Sequence, residues 1–325
     1  MSRGVDISII IPVYNAESYL SDCIASAVNQ VASSISIEII CVDDGSTDSS
    51  LTIIQSFARR DRRVRVLRLS RNRGTCYARK YAVEQAKGKY LMFLDADDTL
   101  ESAACETLFH KIEYCNVDIL HFGTNLIPEG ILDPVRVQRS AANLLPWGYR
   151  LEGKNILDGC FQYKLFRHTL WNKIFRTSVV QKAFKNLNDD YLVKAEDLYA
   201  FFTIAYYAES YIGLPEYKLY NYHLGRGITG RESNPTLAHL DLYCQNMCSV
   251  EALTNFVKCT DHVRLDPYYK EIFLSQLRFD MLMDCLSKYW IYLPEELRED
   301  SMPVLLKYWK HTELQKGFAY LGITI

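Results

Sequence analysis

An acidic run follows an apolar segment near the end of the first hundred residues. The apolar segment 90–94 reads Tyr-Leu-Met-Phe-Leu, and Asp95, Asp97 and Asp98 follow it with only Ala96 between them. Three carboxylates within four residues repel one another and are costly to remove from water. Hard divalent cations such as Mg²⁺ and Mn²⁺ prefer carboxylate oxygens, and they commonly take further ligands from substrate phosphates. The run therefore predicts a metal–diphosphate site.

The same residue types also permit a purely structural interpretation. Asp98 or Thr99 could cap a predicted helix that begins at Leu100 and ends near Glu113. A cap uses one carboxylate, however, and leaves two unexplained. A second acidic pair, Asp43-Asp44, also follows an apolar run and could equally be a turn or a helix cap.

The elements that would position these acids alternate along the chain. Strands are predicted over 6–11, 37–42, 64–69 and 90–94, and helices over 16–30, 51–60 and 75–86. This alternation is typical of an α/β fold with a parallel sheet and right-handed crossovers. Open α/β sheets bind ligands at the carboxyl ends of their strands. We therefore expect both acidic groups to face one cleft.

The second half of the sequence has weaker periodicity. A helix is predicted over 197–207, strands over 117–122 and 217–223, and loop and edge structure over 123–150. The segments 235–258, 267–289 and 303–310 predict a helical C-terminal region. Three parts are expected: 1–123 and 124–234 as two halves of one domain, followed by 235–325.

Composition narrows the functional class. The net charge of −2 gives no electrostatic footprint for nucleic acid, so no nucleic-acid partner is expected. The ten cysteines include no Cys-x-x-Cys pair, which favours reduced thiols over disulfides or zinc. Neither a signal peptide nor a transmembrane segment is predicted, so a cytoplasmic protein is expected. The aromatic, amphipathic segment 272–293 leaves open a peripheral contact at the inner face of the membrane, packing onto the preceding domain, or a homodimer through the C-terminal helices.

Four motifs occur in one order: Ser-Ile-Ile-Ile-Pro-Val-Tyr-Asn at 8–15, Val-Asp-Asp-Gly-Ser-Thr-Asp at 42–48, Asn-Arg-Gly at 72–74, and Phe-Leu-Asp-Ala-Asp-Asp at 93–98. Together they resemble the inverting glycosyltransferases of family two, which have the GT-A fold. The resemblance is strong over roughly the first hundred residues, weaker through 171–176 and 196–198, and absent after about Ile228. It implies a Rossmann-like, mostly parallel central sheet flanked by helices, with Mn²⁺ or Mg²⁺ as cofactor.

The resemblance also implies roles for individual residues at the donor site. Pro12, Val13 and Tyr14 would line the nucleotide base pocket. One of Asp43 and Asp44, with Asp44 preferred, would accept a hydrogen bond from the uracil ring nitrogen.

Further donor-site roles concern the diphosphate, the ribose and the metal. Asp97 would ligate the metal, and Asp95, paired with it across Ala96, would contact the ribose or the metal. Asp98 is assigned either to the metal or to a helix cap. Arg73 or Arg79 could approach the diphosphate or the ribose, although an arginine on a helix face is often only a solvated charge.

Acceptor activation needs a carboxylate on the opposite side of the reacting sugar. Asp197, supported by Glu196, resembles the family's acid pair before a helix, in which the aspartate is the base. Acids also favour helix N-termini simply because of the helix dipole. His223 could reach the metal or the diphosphate, but isolated histidines are more often structural.

The predicted function is transfer of one sugar from a nucleotide-diphosphate sugar, UDP-linked by preference, to a glycan or lipid-linked acceptor in surface polysaccharide synthesis. The Gln-x-x-Arg-Trp motif of processive relatives is absent. A nucleotidyltransferase is one alternative, but residues 12–16 are neither glycine-rich nor basic. A catalytically inactive sugar-nucleotide-binding or scaffold protein is another. The Gly-x-Gly-x-x-Gly pattern at 225–230 is interpreted as a mobile loop over the donor, because no dinucleotide-type helix follows it.

Overall fold

The fold consists of two compact groups of elements. The computed structural model describes residues 4–130, 132, 134–226, 236–259 and 265–323. The described residues of Met1–Tyr191 and Ala200–Arg231 form the first unit, and those of Leu192–Tyr199 and Glu232–Ile325 form the second. Within the described part of the chain, no helix combines the length and apolarity needed to cross a membrane.

One mixed sheet organises the first unit, and the described residues contribute nine strands to it. They are β1 Ile7–Val13, β2 Ile37–Asp43, β3 Val64–Arg68, β4 Tyr90–Phe93, β5 Thr99–Leu100, β6 Ile119–Pro128, β7 Leu151–Glu152, β8 Lys173–Arg176 and β9 Ser210–Leu224.

The sheet has a parallel half and a mixed half. Its order is β3-β2-β1-β4-β8-β6-β9-β5, and β7 also pairs with β9. The first four strands in this order are parallel, whereas β8 runs antiparallel to both β4 and β6. Both β1 and β2 are buried along their whole length, which is typical of parallel strands covered on both faces.

Helices flank this sheet and make up the second unit. Eight helices precede position 232 in the described chain: α1 Leu20–Val28, α2 Ser50–Arg60, α3 Thr75–Gln85, α4 Ala104–Cys115, α5 Pro134–Asn143, α6 Lys154–Leu157, α7 Thr177–Phe184 and α8 Glu196–Tyr207. A π-helical turn lies at Asp158–Gln162. The C-terminal helices are α9 Leu237–Cys244, α10 Asn246–Cys259, α11 Leu274–Cys285, α12 Glu295–Leu306 and α13 His311–Tyr320, with π-helical turns at Tyr269–Phe273 and Leu286–Trp290.

The predicted α/β class and the helical C-terminal region are confirmed. Two predicted helix starts are wrong, however, because acid and amide side chains near them have other partners. The first helix begins at Leu20 rather than Ala16, since Asn15 adopts a left-handed conformation with φ of 48° and does not cap it. The helix predicted from Leu100 begins at Ala104, and neither Asp98 nor Thr99 caps it.

Two predictions in the less regular half are also wrong. Residues 134–143 form α5 instead of loop structure, with Pro134 in the first turn, where its missing N–H costs no helical hydrogen bond. The helix predicted to start at Pro303 starts at Glu295, and Pro303 lies inside it. Glu295 and Glu296 favour that earlier start because acids stabilise the positive end of a helix dipole.

Candidate active site

The first two strands end side by side, and their following loops are joined by hydrogen bonds. Val13 is in register with Asp43, and the N–H of Asp44 donates to the carbonyl of Val13 at 2.8 Å. Asn15 Oδ1 accepts the N–H of Thr47 at 2.9 Å, and Ser50 Oγ accepts the N–H of Ala16 at 2.9 Å. The Pro-Val-Tyr-Asn and Asp-Asp-Gly-Ser-Thr-Asp loops therefore hold each other in place.

The carboxylate of Asp44 faces inward to a neighbouring turn. Its two oxygens accept the backbone N–H groups of Arg73 and Gly74, at 2.7 and 2.8 Å. Burial raises the pKa of Asp44, and these two hydrogen bonds oppose that rise. The carboxylate thus fastens the start of α3, where Gly74 has a φ of 85° that favours glycine.

Asp43 leaves one oxygen with fewer partners. Its Oδ1 accepts the N–H of Ser46 at 3.2 Å, whereas its buried Oδ2 has no hydrogen-bond donor among the described residues. Arg68 Nε lies 3.8 Å from that Oδ2. Of the two acids predicted to contact the nucleotide base, Asp43 is therefore the one with a carboxylate oxygen that accepts no hydrogen bond from a described residue.

Two tyrosines are associated with this region: Tyr14 directly follows β1, and the charge of Asp44 acts on Tyr191. Tyr14 is exposed at the end of β1, and Pro12 and Val13 are buried behind it. Burial raises the pKa of Tyr191, and the charges of Tyr14 and Asp44 raise it further. Tyr191 was not predicted as a site residue, because nothing in its local sequence links it to strands 180 residues earlier.

The loop that carries Tyr191 is attached to α3 by basic side chains. Lys80 Nζ donates to the carbonyl of Leu187 at 2.7 Å and pairs with Asp189 Oδ1 at 2.6 Å. The Arg73 guanidinium lies 3.9 Å above the ring of Tyr77 and donates to the carbonyl of Asp189 at 3.3 Å. Arg73, which was predicted to approach the diphosphate or ribose, thus has protein partners in this structure.

Asp95 follows β4 and forms a buried ion pair. Arg79 Nη2, on α3, donates to Asp95 Oδ1 at 2.8 Å, and the Arg79 side chain is only 3% exposed. The N–H of Asp95 donates to the hydroxyl oxygen of Tyr220 at 3.2 Å. Arg79, the other candidate for the diphosphate or ribose, is therefore placed to orient Asp95.

Asp98 is held by β9. Its Oδ2 accepts the Tyr220 hydroxyl at 2.8 Å, and its Oδ1 accepts the N–H of His223 at 2.8 Å. Burial, together with the charges of Asp97 and Asp95, raises the pKa of Asp98 well above its ordinary value. Both oxygens bind protein donors, so Asp98 fixes the end of β4 to β9 in this arrangement.

Asp97 differs from its two neighbours. Burial raises the pKa of Asp97, while a hydrogen bond from its own backbone N–H and the charges of Arg226 and His223 oppose this rise. Its carboxylate forms no ion pair with any described residue. Across the described ranges, no three His, Cys, Asp or Glu side chains converge as a preformed metal site. Ala96, between Asp95 and Asp97, is half-buried.

A basic cluster from the end of β9 lies beside Asp97. His223 Nδ1 lies 2.8 Å from Glu129 Oε1, and His223 Nε2 lies 3.4 Å from Thr99 Oγ1. Arg226 Nη2 pairs with the same Glu129 oxygen at 2.8 Å, and its Nη1 donates to the carbonyl of Asp97 at 3.4 Å. His223 was predicted as a candidate from the sequence, whereas Glu129 and Arg226 were not, because neither belongs to one of the four motifs.

The ring of Tyr220 packs against a second aromatic residue, Trp171. The ring of Trp171 lies 4.7 Å from that of Tyr220 and stacks at 5.1 Å on Tyr222. The fully buried Lys173 Nζ donates to the carbonyls of Arg167 and Thr169, at 3.0 and 2.5 Å. Lys173 therefore closes the loop that presents Trp171.

Glu196 and Asp197 are the first two residues of α8 and belong to the second unit. Ala195, directly before them, has a φ of 56°, a left-handed conformation that costs an L-residue about 1–2 kcal/mol. Such strain is often stored where a side chain must be aimed. Most of the loop predicted to close over the donor, from position 227 onward, lies outside the described residues.

Comparison with known proteins gives the chain a family. The profile of "Glycosyl transferase family 2" matches residues 8–175, just over half of the chain. The chain is 46% identical over 99 residues to the poly(ribitol-phosphate) beta-glucosyltransferase of Bacillus spizizenii, a match that covers 30% of this chain and 16% of that protein. It is 26% identical over 273 residues to the putative glycosyltransferase EpsH of Bacillus subtilis, which covers 82% of this chain and 72% of that protein.

The matches differ in how much of each protein they include. Over the first three curated relatives, the matched region spans 16–39% of the relative's length. Among solved structures, Staphylococcus aureus TarS 1-349 in complex with UDP-GlcNAc aligns with 98% of this chain and 93% of that one, at a TM-score of 0.55 and 17% identity. At that identity the alignment supports the fold alone. The chain belongs to glycosyl transferase family 2 and has the GT-A fold.

Proposed function

We propose that the protein transfers a single sugar, with inversion, from a UDP-linked donor to a glycan or lipid-linked acceptor in surface polysaccharide synthesis. The carrying observation is Asp97, a partly buried carboxylate at the edge of the sheet without an ion-pair partner among the described residues. A divalent cation bound there would offset the cost of its burial. One relative is named as a poly(ribitol-phosphate) beta-glucosyltransferase, which supports a polymeric acceptor.

The carboxylates that follow β4 fit a divalent metal. Asp97 would hold the cation, Asp95 would contribute as second ligand or as ribose contact, and His223 is a further candidate. When bound, Mn²⁺ or Mg²⁺ would stabilise the negative charge that develops on the leaving diphosphate. Arg79 orients Asp95 through their ion pair, and Tyr220 keeps the chain between Asp95 and Asp98 in position.

The nucleoside would lie across the linked loops after β1 and β2. Tyr14 offers an exposed ring for stacking, and Tyr191 lies near it. We assign the uracil N–H contact to Asp43 Oδ2, since both oxygens of Asp44 already bind backbone N–H groups. TarS was solved with UDP-GlcNAc, which supports a UDP-linked donor here.

Acceptor activation is assigned to Asp197. Inversion by direct displacement needs a base that removes the proton of the attacking hydroxyl. Asp197 opens α8 behind the strained Ala195, with Glu196 beside it, as the family's acid pair does. The proton moves from the acceptor hydroxyl to the Asp197 carboxylate as the bond between the sugar and the diphosphate breaks.

A thermal-shift panel with UDP, GDP, CMP and ADP, each with and without Mn²⁺, tests the donor site. A ligand that binds only the folded protein stabilises it by about 2.7 kcal/mol at a hundredfold excess over its dissociation constant. We expect a shift for UDP that requires Mn²⁺ and is lost in Asp97→Asn. Asp22→Asn, an exposed acid on α1, is the matched control and should keep the shift. A well-folded protein that no nucleotide stabilises would support the inactive scaffold instead.

A further inference from the structure

The second unit contains an open groove that the proposed reaction does not use. It has a volume of about 700 Å³ and lies among α10, α11 and the turn between α12 and α13. Four basic side chains line it, Lys258, Arg278, Lys307 and Lys310, against two acidic ones. The whole chain carries a net charge of −2, so this local excess of positive charge runs against the overall balance.

Two of the four basic side chains of the groove form ion pairs with acids, and the other two do not. Arg278 forms a two-pronged ion pair with Glu313, at 3.0 and 3.1 Å, and Lys307 Nζ pairs with Asp241 at 3.1 Å. The exposed Lys258 and Lys310 form no ion pair with a described residue. Two ammonium groups are therefore available to a ligand beside a fixed guanidinium.

Two aromatic side chains also line the groove. Tyr308 and Trp309 lie between the ends of α12 and α13, and both line the groove. Trp309 is 2% exposed, and its indole N–H has no acceptor among the described residues. A buried donor without an acceptor is costly, and a ligand oxygen or a water could satisfy it. Aromatic and cationic groups together suit a sugar-containing polymer that carries anionic groups.

We propose that this groove binds an anionic glycan chain, a polymer of sugars or polyols with phosphodiester or carboxylate groups, as a second attachment point for the acceptor. The inference rests on the proposed function, because it assumes that the acceptor is a surface polymer. A concave groove encloses a segment of flexible chain, whereas a flat anionic membrane would contact protruding side chains.

The test measures binding of poly(ribitol phosphate) to the full chain by titration calorimetry at low and moderate salt. We expect binding that weakens as salt rises, and at least a tenfold loss of affinity in Lys258→Ala/Lys310→Ala. The matched control is Lys270→Ala/Lys316→Ala, which removes two exposed charges from the same unit outside the groove. The control should change affinity less than twofold.

Several outcomes would overturn the inference. Equal losses in the two double variants would mean that net charge alone attracts the polymer. Equal binding of neutral dextran would remove the role of the anionic groups, and binding only to phosphatidylglycerol vesicles would identify a membrane contact instead. Asp97→Asn separates this inference from the donor site: it should lose the nucleotide shift and keep polymer binding.

Discussion

Two acidic groups follow β2 and β4, the strands on either side of β1 in one sheet, and their carboxylates have different partners. Asp44 receives two backbone N–H groups and is thereby built into the turn before α3. Asp97 forms no ion pair with a described residue, and its burial raises its pKa against the opposing charges of Arg226 and His223. A carboxylate whose oxygens accept backbone hydrogen bonds stabilises the fold, whereas a partly buried carboxylate without an ion-pair partner can bind a cationic ligand.

The same contrast divides the Asp95–Asp98 run itself. Asp95 is paired with Arg79, and Asp98 is bound by Tyr220 and His223. These flanking acids hold the backbone on both sides of Asp97. In the run 95–98, Asp95 and Asp98 are therefore held by protein partners, whereas the carboxylate of Asp97 can bind a metal ion.

The largest effect should come from Asp97→Asn. This change keeps the shape of the side chain and removes its charge, so metal-dependent sugar transfer should fall by at least 100-fold, as for other losses of transition-state charge stabilisation. Thermal stability without ligand should stay equal or rise, because a buried, unpaired charge is removed. Donor turnover and thermal unfolding check both parts. Retained turnover would show that Asp97 is another structural acid.

The opposite pattern is expected for Asp44→Ala. The change leaves the N–H groups of Arg73 and Gly74 without their acceptors, and should destabilise the protein by about 2–4 kcal/mol. Chemical denaturation of the wild type and the variant measures this difference. Uridine-nucleotide affinity, measured below the unfolding transition, should change less than in Asp43→Ala. If Asp43→Ala binds normally and Asp44→Ala does not, the assignment of the uracil contact is reversed.

A smaller effect is expected for Tyr220→Phe. The ring and its packing on Trp171 are kept, while the hydroxyl that donates to Asp98 and accepts from Asp95 is lost. We expect a loss of about 1–2 kcal/mol in stability and a several-fold loss in turnover, with a weaker apparent affinity for Mn²⁺. Tyr222→Phe provides the control, since Tyr222 stacks on the same tryptophan. Equal effects in both variants would show that the bonds of the Tyr220 hydroxyl to Asp95 and Asp98 do not account for the loss.

The sequence predicted the parallel half of the sheet well because its strands are short, continuous apolar runs punctuated by turn residues. It predicted which loops carry the acids, since these directly follow the strands. It did not predict which acid meets which donor. Asp44 and Asp43 are identical and adjacent in sequence, and only the approach of residues 73–74 distinguishes them.

Long-range partners explain the other omissions. Tyr220 and Arg226 contact the acidic run from more than 120 positions away, and Glu129 pairs with Arg226. These residues lie on or directly after β6 and β9, strands whose pairing no local pattern specifies. The strand β9 extends over fifteen residues, although only 217–223 was predicted, because its first part pairs with β6 and β7 despite an irregular sequence. Two helix starts were predicted wrongly for a similar reason: the side chains of Asn15 and Asp98 accept hydrogen bonds from distant residues instead of capping a helix.

The hydrogen bonds that link the loops after β1 and β2 have a consequence for protein engineering. Asn15 accepts from Thr47, Ser46 and Ser50 accept from the Asn15 and Ala16 backbone, and Glu17 accepts from Ser49. The two loops behave as one cassette. A chimera that grafts one loop from a relative to change donor choice would break four interlocking contacts, whereas exchanging residues 12–17 and 43–50 together would transplant the cassette intact.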